Sequence, residues 1–479
     1  MRTAPFAACA ALVLALVAAP ATAQQPAPPA ALSSDQQLAR DLFKELLEIN
    51  SSTMSSGTTV AAEAMAKRFR DAGFPERDIF LGGVRPDKFN LVVRYHGKGG
   101  ANAPKPLLML AHLDVVEALK TDWSPDLDPF KLVERDGYFY ARGTSDDKAQ
   151  AALFVATVLQ FKKEGYVPDR DIIVALTADE EGGCCNGARW LVANHKELVD
   201  AAYVVNEGGF GFLRDGKPLA NTVEATQKVF GGFTVTAKNN GGHSSLPRPD
   251  NAIYELAEAL VRFSKFRFPV QLNDVTRAYF ERTAAIEKPE IAAAMRAIVK
   301  NPADAAASAL LSRDPLYNST LRTTCVATML KGGHAQNALP QTAEAYINCR
   351  MLPNSDAKAI RAAIVTALGD TAIAVSEAPV IAPSSPSPLL PEVMGPIEQV
   401  TREMYGNIPV IPQMMTGATD AIPFRVLGIP SYGVSGIMID PNDLRAHGRD
   451  ERIPVKSFFD GQRFTYKLAK ALTTTRVVP

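Results

Sequence analysis

Between residues 90 and 207 four short stretches run apolar with almost no polar break: NLVVRYH (90–96), PLLMLAHL (106–113), DIIVALTA (171–178) and AYVVNE (202–207). A strand with one wet face alternates apolar and polar residues, so continuous runs of this length predict strands covered on both faces. Helical patterning fills the gaps at about 148–164 and 186–197. Strands interleaved with helices predict an α/β domain on a mainly parallel sheet. Upstream, Leu38, Leu42, Leu46 and Ile49 recur on one helical face behind a Ser34/Gln37 capping box, and Ala61, Met65, Phe69 and Ala72 mark a second helix stopped by Gly73. ERDGYFYARG adds a hairpin turning at Asp136-Gly137.

Near residue 226 the pattern changes. FGGFTVTAKNN alternates like an antiparallel strand with one solvated face, and it is followed by a helix at about 250–265, further helical sequence to about 311, and paired strands at 321–330 and 342–350. This predicts a smaller α+β domain inserted into the first. The Pro/Ser stretch APVIAPSSPSP (378–388) marks its end, after which α/β texture returns. The expected organisation is a main domain over 36–226 and 379–479, interrupted by an inserted domain over 227–378. A chain of 479 residues is long enough for such a division.

Composition narrows the partners. The 51 basic and 51 acidic residues balance, so nothing points to nucleic acid or to an anionic membrane. At the N-terminus Arg2, the apolar run FAACAALVLALVAA and the small-residue site ATA match a signal peptide over 1–23, and a Pro/Ala linker over 24–35 follows. The apolar run is shorter than the roughly 20 residues a spanning helix needs. Export to a secreted or periplasmic location is therefore expected, with no membrane attachment after the leader is removed. Beyond the leader stand Cys184, Cys185, Cys325 and Cys349, with no C-x-x-C pair to suggest a zinc knuckle. Cys325 and Cys349 flank GGHAQNALP at similar distances, as facing residues of a hairpin would, and are placed to bridge in an oxidising compartment.

In open α/β sheets, ligands gather beyond the carboxyl ends of the strands. Those ends carry His112 and Asp114 (LAHLDVV), Asp146 (ARGTSDDKAQ), Glu180 and Glu181 (LTADEEGG) and Glu207 (VVNEGG), and RAHGRDERIP adds His447. Imidazoles and carboxylates in this proportion compose a divalent-metal site. One catalytic zinc takes three protein ligands and keeps one position for water. Five candidates, His112, Asp146, Glu181, Glu207 and His447, suit two ions if Asp146 bridges them. Adjacent Glu180 and Glu181 point different ways, so Glu181 serves as ligand while Glu180 faces water as general base. Asp114, two residues from His112 on an extended segment, orients the imidazole or its metal. Singly each signal is weak: H-x-D arises by chance, Asp146 reads as a loop cap, the glutamate pair as an acidic turn, and His447 beside Arg449 and Arg452 as a surface histidine.

Order and context are specific. Through HLDVV, RGTSDDK, DEEGGCCNGA, NEGG, GGHSSLP, NALP, GATDA and HGRDE, residues 36–475 resemble metallopeptidase family 20. These are di-zinc exopeptidases and amidohydrolases that include glutamate carboxypeptidase, carboxypeptidase S, aminoacylase and the diaminopimelate desuccinylase. The resemblance implies one Zn²⁺ on His112, Asp146 and Glu207, a second on Asp146, Glu181 and His447, and Glu180 as the base. It also implies an inserted lid domain that in many relatives pairs subunits into a homodimer, whereas a larger form of the domain, for which the helical sequence between 265 and 311 is a candidate, keeps other relatives monomeric. His243 then stabilises the oxyanion, Asn337 and Arg350 bind the substrate carbonyl or free carboxylate, and Gly417 lines that pocket. Two departures lie beside the site: Ala149 where the family usually has glycine, and CCN where serine or glycine usually precedes the loop. His96, His195 and His334 lack a partner pattern and read as surface or structural.

The implied activity is hydrolysis of an amide bond beside a free carboxylate, in small peptides or N-acyl amino acids, by an exported zinc-dependent carboxypeptidase, dipeptidase or deacylase. An aminopeptidase of the same fold and a catalytically silent peptide-binding relative are the alternatives. The silent relative predicts a missing ligand or base, and none is missing.

Overall fold

The computed structural model describes residues 31–55, 57–99, 103–377 and 384–474. The leader (1–23), most of the linker (24–35) and the first part of the Pro/Ser boundary lie outside the described residues. Among the described residues no helix is long and apolar enough to cross a membrane.

The apolar runs form the middle of a ten-stranded sheet. Strand Leu107–His112 is buried throughout and runs parallel to Ile172–Thr177 on one side and to Tyr203–Asn206 on the other. Ser431–Gly433 extends the parallel set next to Tyr203–Asn206. Phe89–Tyr95 and Ile79–Gly83 add an antiparallel margin, while Lys217–Gln227 pairs in parallel with Val410–Met415 on the far side. Burial on both faces explains the unbroken apolar sequence: helix Lys148–Glu164 covers one face and is itself buried on almost every side. It packs among Ser34–Glu48 and Val455–Thr473, where Phe43 stacks on Phe458 at 4.5 Å. Each such side chain contributes about 1.5–3 kcal/mol by leaving water.

The first helix differs from expectation by one residue at its start. Ser33, not Ser34, is the N-cap: its Oγ accepts from Gln36 N at 3.2 Å, and Gln36 Oε1 accepts from Ser33 N at 3.0 Å. Tandem serines and tandem glutamines satisfy the capping spacing in either register, and the buried stripe of Ala39, Leu42, Phe43, Leu46 and Leu47 selects this one. The helix expected at 186–197 breaks at His195 into Gly187–Asn194 and Lys196–Val199. The hairpin Val133–Arg135/Tyr138–Tyr140 turns where expected, with Asp136 and Gly137 both at positive φ.

A second, four-stranded antiparallel sheet comprises Thr324–Gly332, Thr342–Met351, Val229–Lys238 and Ala374–Glu377. Helices Ala252–Lys265 and Ala357–Leu368 pack on its apolar side. Cys325 and Cys349 stand directly opposite and form the expected disulfide. Helices Asp274–Thr283, Pro289–Lys300, Ala305–Leu311 and Pro315–Leu321 instead gather around Phe280, Met295 and Leu311 with Ala220 and Ile411 of the large sheet. Arg282 secures them by donating to Glu398 Oε1 and to Val410 O. A single residue, Lys228, separates the strand Lys217–Gln227 of the large sheet from Val229–Lys238 of the small one.

Candidate metal centre

Because Leu107–His112 and Tyr203–Asn206 are parallel neighbours, the residues at their carboxyl ends meet on one edge. His112 closes the first strand and Glu207 follows the second. Nδ1 of His112 lies 3.0 Å from Asp114 O, a carbonyl that only accepts, so Nδ1 carries a proton and Nε2 is the nitrogen left to meet the carboxylates or an ion. That Nε2 faces Asp146 Oδ1 at 3.0 Å and Glu207 Oε2 at 3.6 Å. Across the same carboxylate, His447 Nε2 lies 3.1 Å from Asp146 Oδ2 and 2.7 Å from Glu181 Oε1. The five expected ligands thus form two triads, His112/Asp146/Glu207 and Asp146/Glu181/His447, which share Asp146. Within each triad one donor atom per residue lies within 4.8 Å of the others. Glu180 sits beside them, in a similar grouping with His112 and Glu181.

Asp114 touches both the imidazole and the glutamate pair. Its backbone oxygen accepts from His112 Nδ1 and its carboxylate Oδ1 lies 3.6 Å from the same nitrogen; the carboxylate oxygens also accept from Glu180 N at 3.1 Å and Glu181 N at 2.9 Å. Asp114 is fully buried and pins the glutamate pair by its backbone. The preceding residue, Asp179, has φ +61° and is held by Lys88 Nζ at 2.8 Å and by Cys185 N at 2.7 Å.

The electrostatics of the cluster are those of a cation site. Burial, with Glu207 and other acids nearby, pushes the Glu180 carboxyl up to about 10. Burial likewise raises Glu207 to about 7 and moves Asp147 and Asp420 upward. Asp146 goes the other way: burial opposes ionisation, but the imidazoles of His112 and His447 outweigh it and hold the carboxyl below its usual range. Hydrogen bonds that His447 donates to Asp146 and Glu181 lift its imidazole to about 10. Desolvated carboxylates this close must be protonated or share a cation. Glu207 Oε1, buried and without a hydrogen-bond partner, is an acceptor left over for such an ion.

Several residues with a structural part in the site were not assigned one from sequence. Glu451 is fully buried, accepts from Gly143 N, Ser145 N and Ser145 Oγ, and pairs with Arg142 Nη1 at 2.6 Å. Arg142 Nη2 in turn donates to His447 O, so the turns carrying Asp146 and His447 are braced together. Lys148 directs its buried Nζ to Leu46 O and Ile49 O, both at 2.8 Å, and burial lowers its pKa to about 7. Asp420 accepts from Thr177 Oγ1 and Asn186 Nδ2, both at 2.6 Å. Their only sequence signal is position inside RGTSDDK, HGRDE and GATDA.

The expected substrate residues lie elsewhere. His243 and Asn337 come together on a ribbon where Gly242–His243 pairs with Ala338–Leu339 and Ser244 N donates to Asn337 O at 3.0 Å. Arg350 lies on Thr342–Met351 with its guanidinium 5.6 Å from the Phe230 ring centre. Gly417 occupies the turn after Val410–Met415, where a Cβ would meet nothing within 4 Å. Among the described residues none of these four bonds to a member of the triads. His96 is exposed against Asp78, and His195 packs between Phe80 and Trp190, as surface and structural histidines do.

Comparison with known proteins identifies the family. The family description "Peptidase family M20/M25/M40" matches residues 108–471. The human N-fatty-acyl-amino acid synthase/hydrolase PM20D1 is 28% identical over 388 residues, spanning 79% of this chain and 76% of its own. A probable carboxypeptidase S-like 2 of Dictyostelium discoideum is 27% identical, spanning 80% and 75%. The solved M20 family metallo-carboxypeptidase Sso-CP2 from Sulfolobus solfataricus superposes with a TM-score of 0.65 at 18% identity, over 92% of this chain and all of that one. The protein belongs to peptidase family M20/M25/M40 and is a hydrolytic enzyme.

Proposed function

We propose that the protein is an exported, zinc-dependent amidohydrolase that cleaves the amide bond of N-acyl amino acids or small peptides bearing a free carboxylate. The observation that carries this reading is the pair of ligand triads sharing Asp146, with Glu180 alongside. His112, Asp146 and Glu207 would hold one ion, and Asp146, Glu181 and His447 the other. Bound there, two divalent ions would supply Lewis acidity to a carbonyl and to water, and positive charge that draws the neighbouring carboxyls down. Glu180 accepts the proton of the attacking water and returns it to the leaving nitrogen. Asp114 keeps that carboxylate in place through the Glu180 and Glu181 amides.

His243, Asn337, Arg350 and Gly417 are assigned to the substrate: Arg350 to its free carboxylate, His243 and Asn337 to the oxyanion. In this reading the inserted domain (227–378) carries a lid, its four-stranded sheet with helices Ala252–Lys265 and Ala357–Leu368, that closes over the main domain (36–226 and 379–479), since donors that arrive only on closure stabilise charge that develops only in the transition state. Pairing of two chains through that domain and a secreted or periplasmic location belong to the same proposal. The names of PM20D1 and of the carboxypeptidase S-like relative support the substrate class.

The test compares a dipeptide, its N-acetylated form and an N-fatty-acyl amino acid on the metal-loaded enzyme. Turnover of the acylated compounds supports the proposal. Cleavage confined to the free amine makes the enzyme an aminopeptidase, and turnover of none across a broad panel refutes the proposal.

A further inference from the structure

Sharing no residue with the two triads, a cavity of about 120 Å³ opens between the end of helix Ala252–Lys265, helix Pro315–Leu321 and the start of strand Thr324–Gly332, whose Thr324 stands opposite Arg350. At roughly 30 Å³ per water it has room for about four waters, or for one small polyatomic ion. Its charged lining is cationic: Arg267 and Arg322 border it together with Ser264, Asn318 and Thr324, and the rings of Phe263, Phe266 and Phe268 complete the wall. Among the described residues neither arginine pairs with a carboxylate.

Arg322 is only 5% exposed, an expensive place for an unpaired guanidinium. Its Nη2 donates to Ser308 Oγ at 2.6 Å, while its Nε is buried with no partner. Arg267 spends one Nη1 on the carbonyls of Ser264 and Phe266 and is otherwise exposed. A third cation stands behind: buried Lys228 donates to Arg322 O at 2.7 Å and Thr324 Oγ1 at 3.2 Å. Burial, then the charges of Arg350 and Arg322, lower its pKa to about 7, which places this lysine in the same field.

From this juxtaposition we infer that the cavity is a binding site for a small oxyanion of the sulfate or phosphate class, gripped by Arg267 and Arg322. Guanidinium forks match the spacing of oxyanion oxygens, and the free hydrogen of the Thr324 hydroxyl adds a neutral donor. The site is separate from the metal centre and adjoins Lys228, the link between the two sheets.

Sulfate is the probe, because it avoids the strong affinity of phosphate for divalent metals. Metal-loaded protein is titrated with sulfate by calorimetry and by thermal unfolding, against chloride at equal ionic strength. Wild type binds, and its Tm rises with sulfate concentration. Arg267→Gln, at an exposed position that leaves the fold and basal activity unchanged, weakens sulfate about tenfold or more, the loss expected for a charge-assisted hydrogen bond. Arg322→Lys, which keeps the charge and removes the fork, weakens it too. Equal sulfate affinity in wild type and Arg267→Gln would place the anion elsewhere and overturn the inference; so would a wild-type response no larger than that to chloride.

Discussion

Asp114 belongs to neither triad, yet both oxygens of its buried carboxylate hold the backbone that positions one triad's Glu181 and the neighbouring Glu180. Asp114→Asn puts a donor opposite one of those amides. The folded protein should bind metal about 10- to 100-fold more weakly, as loss of a residue that orients ligands does, and competitive chelation measures it. Protons report on the same cluster. With His447 lifted to about 10, the metal-free protein carries a proton there at pH 7, and an ion must displace it. Metal loading at pH 7 should release protons, visible as buffer-dependent enthalpies, and apparent affinity should fall as pH falls. For metal-free protein the sign is opposite: the raised pKa makes the His447 contribution to stability full below about pH 6.5 and lost as pH rises through about 10.

At the scale of elements, legibility followed the reach of the physical signal. Leu107–His112 and Ile172–Thr177 were readable because double-sided burial writes itself into every residue of a strand, and parallel pairing then sends their ends to one edge. His112 and Glu207 were therefore legible from the residues, whereas His447, on a loop at φ +63°, depended on motif order for its weight. That the stretch running to about 311 is helical was readable; that helix Asp274–Thr283 turns toward Ile411 of the large sheet was not, since helical patterning does not name a helix's neighbour. Glu451 and Asp420 were silent because their partners are backbone and side-chain groups far away in sequence. The Cys325–Cys349 bridge was legible through hairpin symmetry, and it closes a sequence separation of 24. Replacing both cysteines by serine should cost about 3 kcal/mol of the small sheet's stability in denaturant unfolding.

At the scale of the molecule, the main sheet must be completed by chain that returns after the small sheet. A buried pair does much of the joining: Arg425 grips Glu224 at 2.8 and 2.6 Å, and donates to Ser387 Oγ and Ser431 O. Strand Lys217–Gln227, the segment at Ser387 and helix Ala421–Val426 thus meet on two side chains that are at most 1% exposed. Removing one partner strands a buried charge, so Arg425→Met should lower unfolding stability by about 3–5 kcal/mol, and Glu224→Leu combined with it should restore part of the loss.

In the proposed centre two ions are held by five ligands, and Glu180 acts on water rather than on metal. The direct measurement is metal per chain, by elemental analysis, on wild type and Glu180→Gln, each assayed on N-acyl amino acids and dipeptides. Two metals in both, with turnover about a hundred- to ten-thousandfold lower in the variant, is the predicted result. One metal or none in wild type, or a fully active Glu180→Gln enzyme, would contradict the shared-carboxylate centre or the role of its base.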